Sequence, residues 1–184
     1  TTSAIAFSPT AIDEFFKCPR RFWLKRILHI EEPETDDPFE IINPAQFGTL
    51  VHLVMENSVG KSLSKDEFID CAASAFDDFL KTRPAIHKDA GQKEKEIFLN
   101  VMSNAYDSDP GNIVISAEEK KTVQHPSGII LKGIPDRVEQ TKDGEYIIVD
   151  YKTGRNVKHV SNDIDTCLQV VVYAYILEQQ EGIR

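Results

Sequence analysis

Residues 133–152 read GIPDRVEQTKDGEYIIVDYK. A strand with apolar residues on both faces, Glu145 to Lys152, finishes with a carboxylate, Asp150, and an amine, Lys152. Side chains alternate faces along a strand, so Tyr146, Ile148, Asp150 and Lys152 share one side and Ile147, Val149 and Tyr151 the other. Such a pattern predicts a central strand covered on both faces. A charge buried without a partner costs several kcal/mol, so Asp150 and Lys152 are expected at the rim of the sheet. The preceding turn decides what Asp150 meets. Lys142-Asp143-Gly144 has the form of a three-residue hairpin loop, a type I turn closed by glycine in the left-handed region. Closing the ladder at Thr141 opposite Glu145 puts Asp136 opposite Asp150, whereas a two-residue loop would shift the register and send the two carboxylates to opposite faces. Facing carboxylates repel unless a cation lies between them, which points to a hard divalent metal. The competing reading is an ordinary strand-end ion pair between Lys152 and one aspartate.

Outward from this hairpin, the 184 residues, 41% of them hydrophobic, suit one domain with a real core. The mainly helical stretch is 1–110 and the β-meander with its helix 111–184. Ser8 and Pro9 start a short helix that breaks at Cys18-Pro19, and a second piece, RRFWLKRIL, mixes Arg20, Arg21, Lys25 and Arg26 with apolar residues. Residues 31–40 read as an acidic loop. Helical spacing returns at Phe47, Leu50, Val51, Val54 and Met55, again at Phe68, Cys71, Ala72, Ala75, Phe76 and Phe79, and a further helix is predicted over Lys93 to Tyr106. Three strands in a meander follow (NIVISAEEKKTV, GIILKGIPDRVEQ, EYIIVDYK), then a helix over Asp163 to Gln180 with Leu168, Val171, Val172, Tyr175 and Ile176 on its apolar side. The fold class is α/β, and the chain, beginning at Thr1 and stopping soon after a helix, leaves room for a further strand beyond Arg184.

The formal charge of −9 excludes a surface coated in basic residues for nucleic acid but not a local basic patch. No apolar run reaches the ~18 residues of a membrane span, and Thr1 to Pro9 lacks the basic start and long apolar centre of a secretory signal. Cys18, Cys71 and Cys167 form neither a CxxC pair nor a disulfide framework, so a reducing, cytoplasmic setting is expected. His52 lies on the apolar stripe of its helix, where a histidine is usually a core residue; as a ligand it would supply a neutral nitrogen. Gln169 and Tyr173 sit four apart, on one face of the last helix.

In this order, SPTAIDEFFKCPRRFWLKRIL, the GTLVH helix, GIPDRVE, IIVDYKTG and the Gln-x-x-x-Tyr helix resemble the RecB-like branch of the PD-(D/E)XK nuclease superfamily. The resemblance implies a restriction-endonuclease-like core, a mixed sheet with an antiparallel meander flanked by helices. It implies a Mg²⁺- or Mn²⁺-dependent deoxyribonuclease, an exonuclease acting on DNA ends or single strands in repair, recombination or CRISPR-type processing, with a helicase domain as a partner. It makes His52, Asp136, Asp150 and the carbonyl of Tyr151 metal ligands. Lys152 would orient and deprotonate the attacking water, and Gln169 and Tyr173 would line the site and contact the substrate backbone. An acidic residue ahead of these strands sometimes joins the site; Glu118 and Glu119 both qualify. The alternative is a non-catalytic DNA-binding or scaffolding module that keeps the fold. Some members of this branch hold an iron–sulfur cluster through a cysteine at the position of Cys18 and three more beyond the last helix. Such a cluster needs about four converging thiolates, so none is expected here, and Cys18 is expected to serve packing.

Overall fold

The computed structural model describes residues 6–30, 40–83, 91–153 and 164–182, and the side chains of 164–167 lie outside that description. The described residues divide into two compact units, one of residues 6–30, 115–150 and 164–182, the other of 40–114 and 151–153.

The second unit is helical. Helices α3 (Pro44–Ser58), α4 (Lys65–Lys81) and α5 (Gln92–Asp107) bury Leu50, Val51, Val54, Met55, Phe68, Ala72, Phe76, Phe98 and Met102 in one cluster. Two capping boxes fix where α3 and α4 begin. Asn43 accepts from the Gln46 N–H at 2.8 Å while Gln46 accepts from the Asn43 N–H at 3.1 Å, and Ser64 and Glu67 repeat the arrangement. Each box satisfies helix-end donors that would otherwise lack partners. The stripes read from the sequence form this core, except Cys71, which is exposed.

The other unit holds the strands. β1 (Ala6–Phe7), which the sequence did not suggest, precedes α1 (Pro9–Lys17), α2 (Pro19–Phe22) and a π-helical turn, Trp23–Ile27. Ser8 caps α1 with Pro9 in its first turn, and the chain breaks at Cys18 as expected. Cys18 does not serve packing: it is exposed, and its Sγ accepts from the Arg21 N–H at 3.4 Å to cap α2. A proline at the start of the second helix leaves its orphan N–H groups to be met by whatever side chain precedes it.

The predicted meander of three strands is five short ones in two sheets. NIVISAEEKKTV divides into β2 (Ile113–Ala117) and β3 (Lys121–Gln124), and the next run into β4 (Ile130–Gly133) and β5 (Arg137–Gln140), with β6 (Tyr146–Val149) last. One sheet has the order β1-β4-β3 and the other β2-β5-β6. β1 runs parallel to β4, while β3–β4 and β5–β6 are antiparallel, so the architecture is α/β with mixed strands flanked by helices. The divisions fall where the backbone cannot continue a ladder: Glu118 is left-handed at φ 49°, and Pro135 has no N–H to donate.

The order also corrects the central-strand reading. Among the described residues, β5 lies in the middle of its sheet, with Arg137, Val138 and Glu139 buried, and β6 is the outer strand, with Tyr146 and Ile147 exposed near the hairpin tip. Arg137 and Glu139, two apart and so on one face, form an ion pair at 2.7 Å with side chains 8% and 4% exposed.

Helix α6 (Ile164–Glu181) packs on β3, β4, β6 and α1. It buries Val172, Tyr173, Ile176 and Leu177, while Val171, assigned to the apolar side from the sequence, is exposed. Its C-terminal end is tied to β3. The buried Lys121 ammonium meets Glu119 at 2.9 Å and Glu181 at 2.5 Å, and Gln180 donates to the Thr122 carbonyl. Burial works against the Lys121 charge, but the two carboxylates outweigh it and raise its pKa.

Candidate active site

The hairpin has the expected register. Arg137 pairs with Val149, Val138 with Ile148, Glu139 with Ile147 and Gln140 with Tyr146. The Thr141 N–H donates to the Glu145 carbonyl at 2.8 Å, and the Gly144 N–H to the Thr141 carbonyl at 3.0 Å with φ 86°. Continued one step past β5 and β6, the same register puts Asp136 opposite Asp150. Asp136 is buried and Asp150 half-buried.

Helix α6 meets this end of the hairpin with Gln169 and Tyr173. The Gln169 side-chain amide donates to Asp150 Oδ1 at 2.7 Å and to Tyr173 Oη at 3.2 Å. An amide that grips one carboxylate oxygen fixes the orientation of the whole group. Tyr173 is 6% exposed, and burial raises its pKa, with the Asp150 and Asp136 charges adding to the rise. Hydrogen bonds from Gln169 and from the backbone of Ile134 oppose it. The phenol is therefore neutral across the physiological range and feels both aspartates. Its ring lies on the backbone of Gly133, where an added Cβ would come within 2.5 Å of Cε1. Sequence reading passed over this seat for Tyr173, although a glycine inside a strand is the signal of such a close approach.

Of the two acidic candidates, Glu118 and Glu119, only Glu118 reaches the hairpin. Its N–H donates to the Asp136 carbonyl at 3.1 Å, and a carboxylate oxygen lies within 4.8 Å of one on Asp136. Glu119 turns away to Lys121. Glu118 adopts its left-handed backbone at this point, an arrangement costly for a residue with a Cβ and common at functional sites. Two carboxylates held this close, one of them buried, are the oxygen donors a hard divalent cation takes, so the residues fit such an ion.

In the helical unit, His52 lies half-buried on α3 with its ring edge-on to Tyr151, centroids 5.8 Å apart. Thr153 packs at Gly48 on the same helix, its Oγ1 3.2 Å from where a Cβ would stand. Lys152 between them is exposed. Cys167 falls among the side chains outside the description.

A sequence model of the PD-(D/E)XK nuclease superfamily matches residues 6–183. The chain belongs to that superfamily. It is also similar to a subunit of the ATP-dependent helicase/deoxyribonuclease of Streptococcus equi subsp. zooepidemicus, strain H70, at 24% identity over 160 residues. The corresponding protein of strain MGCS10565 is 24% identical over 160 residues. Each alignment takes in 83% of this chain but 14% of the relative, so the chain spans about a seventh of these relatives. The likeness supports the RecB-like branch of the PD-(D/E)XK superfamily. Among the described residues, no helix is long and apolar enough to cross a membrane.

Proposed function

We propose that this PD-(D/E)XK domain, taking in the whole of residues 1–184, is a divalent-metal-dependent deoxyribonuclease that hydrolyses DNA phosphodiester bonds as an exonuclease. The observation that carries the reading is the approach of Glu118 to the buried Asp136, with Gln169 gripping Asp150 and both aspartate charges acting on Tyr173. Asp136, Asp150, Glu118, the Tyr151 carbonyl and His52 are the residues proposed to hold Mg²⁺ or Mn²⁺. Bound there, such an ion would lower the pKa of a bound water below the bulk value of about 15.7 and polarise phosphoryl oxygens.

The side chains supply the rest. Lys152 sets a positive charge beside the phosphate, where the transition state of an in-line displacement is most negative, and orients the water that attacks. Gln169 acts first on Asp150, a positioning role that differs from direct contact with the substrate backbone. Tyr173, neutral and buried, keeps Gln169 aimed. The relatives named above belong to a helicase/deoxyribonuclease, which supports DNA as substrate and a helicase as partner; a cytoplasmic DNA-repair setting is proposed alongside them.

The test incubates purified protein with 5′-labelled and 3′-labelled single and double strands under Mg²⁺ or Mn²⁺. Stepwise shortening from one end, abolished by EDTA, is the expected result. Binding without cleavage under every divalent metal would refute it and favour the non-catalytic module.

A further inference from the structure

Residues 15–26, FFKCPRRFWLKR, carry five cationic side chains and no acidic one, in a chain of net charge −9. The preceding turn of α1 neutralises part of this. Asp13 pairs with Lys17 at 2.8 Å, and Glu14 with Lys25 at 3.3 Å and Arg26 at 2.7 Å, so residues 13–26 hold five cationic and two acidic side chains, a formal charge of +3. Arg20 and Arg21 are exposed on α2. Beside them stand large rings in water: Phe16 is 75% exposed, Trp23 51% and Phe15 46%. These rings have a footing. Phe22, buried, meets Phe15 edge-on at 5.5 Å and stacks on Phe7 at 6.0 Å, and Phe15 in turn meets Phe16 at 5.9 Å. The patch belongs to the same unit as Asp136 and Asp150, and α1 packs against α6, the helix that carries Gln169 and Tyr173.

Exposed rings interleaved with guanidinium groups suit a partner that alternates flat apolar faces with phosphates. An unpaired nucleic-acid strand does so at every nucleotide, and a duplex hides its base faces inside the stack. A protein partner would cover the rings but would have to supply carboxylates against the arginines. We infer that the α1–α2 face is a contact surface for single-stranded DNA, on which Trp23 and Phe16 stack against unpaired bases while Arg20 and Arg21 hold neighbouring phosphates. This rests on the domain being a deoxyribonuclease and adds which form of DNA it grips.

Trp23 is the one tryptophan in the chain, so its fluorescence reports this surface directly. In EDTA, a thymidine oligonucleotide of about 16 nucleotides is expected to quench it, and a blunt duplex of equal length to leave it nearly unchanged. By anisotropy of labelled oligonucleotide, Phe16→Ala and Trp23→Leu should each weaken binding roughly ten-fold. Arg20→Ala with Arg21→Ala should lower the slope of log affinity against log salt by about 1.4. Circular dichroism of each variant checks that it is folded. Wild-type protein that binds the oligonucleotide with no change in Trp23 fluorescence, or variants that bind as wild type does, would overturn the inference. So would ring variants that alter sedimentation and leave oligonucleotide binding untouched, which would assign the face to a protein partner. Cleavage tells the two readings apart: a protein that cuts DNA but fails these tests loses only this surface, whereas one that never cuts loses the nuclease reading.

Discussion

Gly133→Ala adds one methyl group in the seat of Tyr173. Its Cβ would stand 2.5 Å from Tyr173 Cε1, 2.7 Å from Cδ1 and 3.4 Å from Ile176 Cδ1, where carbon atoms rest at about 3.5–4.0 Å. The overlap with the ring is therefore about 1 Å. Gly133 is not in the left-handed region, so alanine suits the backbone and on that account alone would stabilise by about 0.4–1 kcal/mol. Against this, forcing a buried ring aside costs about 1–3 kcal/mol. Moving the ring also stretches the 3.2 Å bond from Gln169 to Tyr173, worth about 1 kcal/mol. The expected balance is a loss of about 2 kcal/mol, read in urea as a midpoint lowered by about 1 M. A double-mutant cycle with Tyr173→Ala isolates the cause: with the ring gone the methyl has room, so the pair should be less destabilising than the sum of the singles. Stability within about 0.5 kcal/mol of wild type, or an additive cycle, would refute the argument that Tyr173 is seated on Gly133.

Asp136→Ala and Asp150→Ala should each abolish DNA cleavage and Mn²⁺ binding, measured by gel assay and calorimetry, while Lys152→Ala should abolish cleavage and spare much of the Mn²⁺ binding; full cleavage by Lys152→Ala would defeat the proposed chemistry. Glu139→Ala removes a buried carboxylate 2.7 Å from the Arg137 Nε and should cost about 1.5–3 kcal/mol in urea denaturation, a loss under about 0.5 kcal/mol showing that the pair contributes no more than an exposed one. Tyr173 has its pKa raised first by burial, so above the ordinary tyrosine value of about 10 the unfolded chain gives up this proton before the folded one. The stability due to the neutral phenol is complete below that pH and is lost as pH climbs through the folded value. Stability of Tyr173→Phe should fall less steeply above pH ~10 than that of wild type; parallel curves would contradict it.

The hairpin was legible because its signals are local. A glycine placed for the left-handed region sets the loop length, the loop length sets the register, and the register places Asp136 against Asp150. The start of α1 was legible for the same reason, resting on the Ser8 side chain reaching forward three residues to the Ala11 N–H. Sheet membership was not. Glu118 and Pro135 both mark breaks, but whether a chain resumes in the same sheet or another depends on contacts with distant strands, such as β1 on β4. The face of α6 was misjudged at Val171 because its residues from 168 to 177 are apolar almost all round, and only packing selects which of them go inside. Choosing between Glu118 and Glu119 required knowing that Lys121 claims the latter.

The turn at Lys142-Asp143-Gly144 also predicts how the gene can vary. Its three residues are exposed, and exchanging Lys142 or Asp143 touches nothing in the site. Deleting either codon is a different event, because a two-residue connection turns one strand of the hairpin over and carries Asp136 and Asp150 to opposite faces. Surface loops ordinarily absorb insertions and deletions with little consequence. Here the tip of the hairpin would tolerate changes of spelling and reject changes of length, so a drift in length should persist only in descendants that have given up catalysis.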